Sequence, residues 1–447
     1  GAKWYNALCI NLAALRLAAL RRKGARMKKL VLSAVCLALS AVLAGCDFTV
    51  SLGGNAEELL RAPQPTQLQS AVQKALVSHL GETPQMKYPR GGEELSPIVL
   101  RDLDGDGTDE AIAFFTAERS GQNVCMAVLE QAGDSWEVVC ESEGLSTEVS
   151  QVQTVSLRED AAQLVVGYAN SNLTDKYLTI YSYGGGQLVM EYQQACEAFL
   201  IADLNSDGAS EVYLAQSTAQ AGLLTLEAVR DMAGSLQSVQ TVQLNSSFLH
   251  CTALLETRSG RAQGIVVSGQ LASGGTAQQV LRMTGGQLLS WPVSGGEVVT
   301  ERTMGLPDAL GPRITASGTV LLAHVEARAD TATTTRRYYF IEWDDYLAAE
   351  PAREYGVADV ATGYYLRLPS GWRDAVALQD GPFANSFVLR NEAGEALCTV
   401  RVVPEDATLG GYERLLSLEG GQKVMVYFHT NCTPGEALTL RAGALAL

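Results

Sequence analysis

The sequence predicts a mainly β protein: a β-propeller of about five blades, each of ~50 residues, followed by a small C-terminal α+β domain. Three observations predict it. Strand-like apolar segments recur at similar spacing between residues 97 and 350. Gly-rich turns join strand pairs between them. A loop rich in Asp and Gly occurs twice in one register, and each copy runs directly into an apolar strand.

The recurring strands are Glu110–Phe115, Gln163–Tyr168, Glu211–Ala215, Gly264–Ser268 and Thr319–Ala323. Their central residues, Ile112, Val165, Val212, Ile265 and Leu321, are separated by 53, 47, 53 and 56 residues. Hairpins are predicted for Val124–Glu130 with Trp136–Glu141 across Gly133-Asp134, and for Tyr177–Tyr183 with Gln187–Tyr192 across Gly184–Gly186. Val280–Thr284 with Gln287–Trp291, across Gly285-Gly286, is a third. A strand–loop–strand–hairpin unit of this size has the content of a propeller blade. A β-sandwich stands second, because a sandwich does not need the same unit five times.

Taken in order, residues 1–26 carry no acid and begin with Gly. They are expected to be an upstream or non-native extension. Residues 27–45 then read as a signal peptide: Lys28 and Lys29 precede an apolar run, Leu30–Ala44, of fifteen residues. That run is short of the ~20 that a spanning helix needs. It ends in Leu43-Ala44-Gly45-Cys46, which resembles a bacterial lipobox. The resemblance implies diacylglyceryl transfer to Cys46, cleavage before it, and anchoring at the extracytoplasmic face of a bacterial membrane. Residues 46–66 read as a tether, and 67–96 as a helical lead-in. Its helix, about 67–79, is capped by Thr66, faced by Leu68, Val72, Ala75 and Leu76, and stopped at Gly81. The propeller spans 97–350.

The repeated loop carries the chemistry. In the first copy Asp102, Asp104 and Asp106 stand at alternate positions. Gly107 sits at the turn, Thr108 offers its carbonyl, and Glu110 closes the run. The second copy supplies Asp203, Asn205, Asp207, the carbonyl of Ala209, and Glu211, with Gly208 at the turn. Hard oxygen donors at this spacing form the front half of an EF-hand-like calcium loop. Position 12 is Ala113, and a strand follows where an EF-hand has a helix. Repulsion among close carboxylates favours a cation between them. The first copy has more acids and is expected to bind more tightly; a plain polar turn is the alternative. Both copies resemble the FG-GAP or integrin-α type repeat of β-propellers. The resemblance implies a structural calcium ion held by a loop between strands of one blade. The corresponding loops at 157–160, 256–260 and 314–318 are degenerate and are expected to hold no metal.

Residues 357–447 break the period and are read as the α+β domain. Tyr364–Trp372 is a strand ending at a Pro-Gly turn, Ser386–Arg390 and Glu395–Val403 form a hairpin, and Lys423–Phe428 is a strand. Tyr412–Leu418 is read as helical, and Leu438–Leu447 as lacking a terminal element. Cys125 and Cys140 face each other if their turn is symmetric about 132–133. A bridge and two free thiols both fit, and six Cys beyond Cys46 imply no disulfide framework.

Composition narrows the function. With residues 1–45 set aside, 25 basic residues face 49 acidic ones. A surface this acidic argues against nucleic acid or anionic lipid as a partner surface. The four histidines, 79, 250, 324 and 429, lie far apart, and no nucleophile elbow, P-loop or dinucleotide fingerprint occurs. The expected function is therefore a lipid-anchored, calcium-stabilised binding or scaffolding module for an envelope or extracellular protein or glycan. The alternative is a calcium-dependent polysaccharide- or envelope-processing enzyme.

Overall fold

The computed structural model describes residues 67–118, 121–133, 135–158, 162–217, 223–291, 300–302, 310–326, 337–348 and 353–444. Cys46, the signal segment, the tether and Thr66 lie outside the described residues. Helix α1 (Gln67–Leu80) buries Val72 and Leu76, and Gly81, at φ +76°, ends it with its N–H on the Val77 carbonyl.

The rest is mainly antiparallel β-structure. The first sheet joins β2 (Ile98–Arg101), β3 (Glu110–Thr116), β4 (Cys125–Ala132) and β5 (Ser135–Glu143), with β1 (Gln85–Met86) beside the far end of β3. The second runs β6 (Glu148–Val155), β7 (Gln163–Ala169), β8 (Lys176–Gly184), β9 (Gln187–Cys196). The third runs β10 (Ala198–Ala202), β11 (Glu211–Ser217), β12 (Leu224–Asp231), β13 (Leu236–Gln243). The fourth runs β14 (Phe248–Ser259), β15 (Ala262–Leu271), β16 (Thr276–Thr284), β17 (Gln287–Trp291), with β18 (Thr300–Arg302) also on β16. The fifth runs β19 (Arg313–Ile314), β20 (Val320–Glu326), β21 (Tyr338–Asp344), β22 (Arg353–Asp359), β23 (Tyr364–Arg367). All five marked strands fall on the second strand of successive meanders. The three expected hairpins form, with Ala132 opposite Ser135, Gly184 opposite Gln187, and Thr284 opposite Gln287.

Hydrophobic clusters join each sheet to the next. Ile112, Phe114 and Met126 meet Leu164, Val166 and Tyr168; Val165 and Ile180 meet Val212 and Leu214. Tyr213 and Leu226 meet Ile265 and Val267; Val266 and Val280 meet Val320 and Leu322. Alternating strand residues thus face two different neighbours, which is why these strands are apolar on both sides. The other face of the first sheet packs on α1 through Ala111, Ala113 and Phe115. Among the described residues no cluster joins the first and fifth sheets.

The structure departs from the sequence reading in three places. The boundary at 350–357 falls inside one sheet: β22 pairs along β21, and β23 continues it, because Phe340, Tyr355, Val357 and Leu366 share one core with the C-terminal sheet. That sheet comprises β24 (Val376–Asp380), β25 (Ser386–Asn391), β26 (Ala396–Pro404), β27 (Glu413–Leu418) and β28 (Gln422–Phe428). Residues 413–418 are therefore strand, not helix; a bulge between Arg414 and Leu416 breaks the period of two there. The chain end does have elements: α2 (Pro434–Thr439), with a Thr433/Glu436 capping box, leads to β29 (Arg441–Ala444), which pairs with β23. Of the two readings left open for Cys125 and Cys140, the structure has the free thiols. The hairpin turns one residue later than a 132–133 centre, and a bulge sets Cys140 opposite Val128 and Cys125 opposite Glu143.

Candidate metal-binding loops

The two acidic loops occupy the same place in two sheets. Residues 102–109 join β2 to β3, and 203–210 join β10 to β11. Three of their amide-to-carboxylate or amide-to-amide-oxygen bonds fall at equivalent positions, while Oδ1 of the first Asp accepts from Gly105 in one loop and from Asp207 in the other. The Gly107 N–H donates to Asp102 Oδ2 at 3.0 Å, and Gly208 N–H to Asp203 Oδ2 at 3.0 Å. Thr108 N–H donates to Asp106 Oδ1 at 2.7 Å, and Ala209 N–H to Asp207 Oδ1 at 3.0 Å. Asp106 N–H donates to Asp104 Oδ1, and Asp207 N–H to Asn205 Oδ1. Both loops take left-handed φ at the same two positions: Gly105 (+79°) and Gly107 (+88°), Ser206 (+59°) and Gly208 (+93°). Ser206 does so although a Cβ disfavours it.

Within the first loop Asp102, Asp104 and Asp106 bring carboxylate oxygens within 4.8 Å of one another. In the second, Asp203, Asp207 and Glu211 do so. The predicted donors are thus mostly gathered, but the two Glu residues behave differently from the Asp residues. Glu110 is 3% exposed and is not in the first set. Its Oε2 accepts the Leu103 N–H at 2.8 Å. Burial raises its pKa, and the Asp104, Asp106 and Asp102 charges add to that, against the lowering by the Leu103 bond. Glu211 is equally buried, but Arg230 Nη2 lies 2.9 Å from its Oε1 and the Tyr213 hydroxyl donates to its Oε2 at 3.0 Å. Asn205 Nδ2 also donates to Asp207 Oδ2 at 2.8 Å and to Glu211. The second loop therefore neutralises much of its own charge, while the exposed carboxylates of the first, Asp104 and Asp106, have no cationic partner among the described residues.

Two residues of this arrangement escape a motif search. Gln163 repeats the latch of Glu110 without charge: its Oε1 accepts the Leu157 N–H at 2.8 Å. The shared signal is a Leu in the loop followed by a Glu or Gln opening the strand. Arg158, next to Leu157, supplies a built-in cation, donating to Asp231 Oδ2 at 2.6 Å and to Glu191 Oε1 at 3.0 Å. The Glu191 bond raises its pKa most, opposed by desolvation.

Elsewhere the nucleophile chemistry is quiet. Burial pushes the Cys196 and Cys251 thiols up to about 12, so both are protonated at neutral pH. His250 approaches Glu197 at 3.5 Å, His79 lies 2.6 Å from Glu141, and His429 Nε2 lies 2.9 Å from Thr399 Oγ1.

No family model and no curated protein matches the chain. Among solved structures, a 6-phosphogluconolactonase homologue from Bacteroides fragilis is 14% identical, with 57% of this chain and 79% of that chain covered and a TM-score of 0.28. A periplasmic gluconolactonase from Pseudomonas aeruginosa is 13% identical, with 74% and 99% covered and a TM-score of 0.23. An exo-β-1,3-galactanase from Clostridium thermocellum is 12% identical, with 79% and 85% covered and a TM-score of 0.24. Likenesses this slight carry no conclusion about activity.

Proposed function

We propose that this chain is a lipid-anchored, extracytoplasmic bacterial binding or scaffolding module, built from five propeller-type blades that resemble FG-GAP repeats. Its calcium is structural. The observation that supports this most is the set of equivalent amide-to-carboxylate bonds in two acidic loops at the same inter-strand position in two sheets. Asp102, Asp104 and Asp106, with the Thr108 carbonyl, would hold the tighter ion; Asp203, Asn205, Asp207, the Ala209 carbonyl and Glu211 the weaker one. A bound cation supplies charge neutralisation where the strand begins, and the chain itself supplies the backbone amides that orient each carboxylate. The partner is an envelope or extracellular protein or glycan, met away from the loops.

The test pairs binding with turnover. The mature chain is screened against glycan arrays and envelope extracts, with calcium or with chelator, while polymer supernatants are assayed for released product. Saturable binding without product supports a module; calcium-dependent product release would replace it with the enzyme reading. Anchoring is tested separately by Cys46→Ala, which is expected to move the protein from the membrane fraction to the soluble one. Retention in the membrane after normal export would overturn the lipoprotein reading.

A further inference from the structure

A cleft of about 840 Å³ lies far from the acidic loops in sequence and shares no residue with them. Its walls come from the end of β23, the turn at 369–373, and α2 with β29. This volume is in the range of small-molecule sites. Its chemistry contrasts with that of the chain. Three arginines, Arg367, Arg373 and Arg441, line it in a protein whose formal net charge is −16.

Arg367 and Arg441 are direct cross-strand partners in the β23–β29 pair. Opposed residues share one face of a sheet, and like charges so placed repel. The two carboxylates that line the cleft do not relieve that repulsion. Glu342 takes Arg373 at 2.7 Å. Glu436 is occupied by the Trp372 indole N–H at 2.7 Å and by Thr433 in the capping box. Glu354, outside the cleft lining, pairs with Arg367 at 3.4 Å, with the Arg367 side chain half exposed and that of Glu354 partly buried. Arg441 donates to the neighbouring Leu440 carbonyl and has no carboxylate partner among the described residues. Ser370 and Thr439 add hydroxyls to the lining, and Leu438, 70% exposed, gives it an apolar patch.

We infer that this cleft binds a small molecule carrying a carboxylate or phosphate group, with Arg441 and Arg367 gripping the oxyanion together. An oxyanion between two opposed guanidiniums converts their repulsion into two charge-assisted contacts. Ser370 and Thr439 are placed to meet hydroxyls of a sugar-sized ligand. The inference is independent of calcium in the loops, which share no residue with the cleft.

The test uses the mature chain and isothermal titration with glucuronate, glucose 6-phosphate, inorganic phosphate and glucose. At least one oxyanion is expected to bind while glucose does not. The glucuronate and phosphate arms distinguish a carboxylate site from a phosphate site. Arg441→Gln is expected to weaken binding about tenfold or more. The same variant should leave the melting temperature of the free protein unchanged or raised, because it removes a like-charge pair. A merely structural arginine would do the reverse. Equal binding of glucose and the oxyanions, no oxyanion binding, unchanged affinity in Arg441→Gln, or a lowered melting temperature of that variant would each overturn the inference. Repeating the titrations in chelator should give the same affinities, so a failure of the calcium reading leaves this result intact.

Discussion

Glu110 separates a hydrogen-bonding role from a charge role. Leu103 is 1% exposed, and its N–H has the Glu110 carboxylate as acceptor at 2.8 Å. Glu110→Ala leaves that N–H buried and unsatisfied, at a cost of about 1–3 kcal/mol. At about 2 °C per kcal/mol for a chain of this size, the melting temperature should fall ~2–6 °C. Glu110→Gln keeps a carbonyl acceptor, as Gln163 does for Leu157 at 2.8 Å. In chelator it should match or exceed the parent. The pH dependence has a defined sign. The folded pKa of Glu110 is raised, so its contribution is fully present below the unfolded value and is lost as pH rises through the folded one. The advantage of Glu110→Gln over the parent should therefore grow from pH 4 to pH 7 in chelator. Thermal melts followed by circular dichroism at the two pH values measure this. If Gln proves as damaging as Ala without metal, the carboxylate charge matters and the latch account is wrong.

Three further outcomes follow from the same structure. Chelator is expected to lower the melting temperature of the parent, by up to the ~1–3 kcal/mol that a modest excess of ligand contributes; Asp104→Ala should abolish most of that shift and Asn205→Ala little, and a calorimetric scan that chelator does not move would leave both loops as polar turns. Asp359, with a fully buried side chain, accepts from Arg337 Nε at 2.8 Å and Nη2 at 2.7 Å and from the Thr362 hydroxyl; Asp359→Ala should cost about 3–5 kcal/mol in urea unfolding by stranding the guanidinium, and a loss below 1 kcal/mol would show that the pair is not held as described. At Gly269 an added Cβ would lie 2.3 Å from the Phe248 ring; Gly269→Ala should therefore cost about 1–3 kcal/mol by overpacking, with partial recovery in Gly269→Ala/Phe248→Leu, and absence of recovery would place the strain elsewhere.

What the sequence determined by itself was whatever depends on near neighbours along the chain. The two acidic loops, the five marked strands, the Gly-Gly turns after Gly184 and Thr284, and the end of α1 at Gly81 were all legible. Each rests on a local requirement: alternate carboxylates that accept amides of their own loop, a period of two for a strand, a positive φ for a turn. The tertiary structure decided the rest. Whether Cys140 meets Cys125 depended on where the hairpin turns: pairing of Ala132 with Ser135 displaces the partner of Cys125 by two residues, and a bulge displaces it by one more. Residues 413–418 became a strand because β28 offered an edge, although Leu415 and Leu416 also suit a helical face. The Glu110 latch, the Arg158 ion pair and the covering of the first sheet by α1 join residues that no local window connects. The same is true of Arg367 and Arg441, which lie 74 positions apart in the chain and stand opposite each other only because β29 returns to the edge of β23. Pattern reports what a residue can do within its own element; only the pairing of distant strands settles which charges and thiols finally stand side by side.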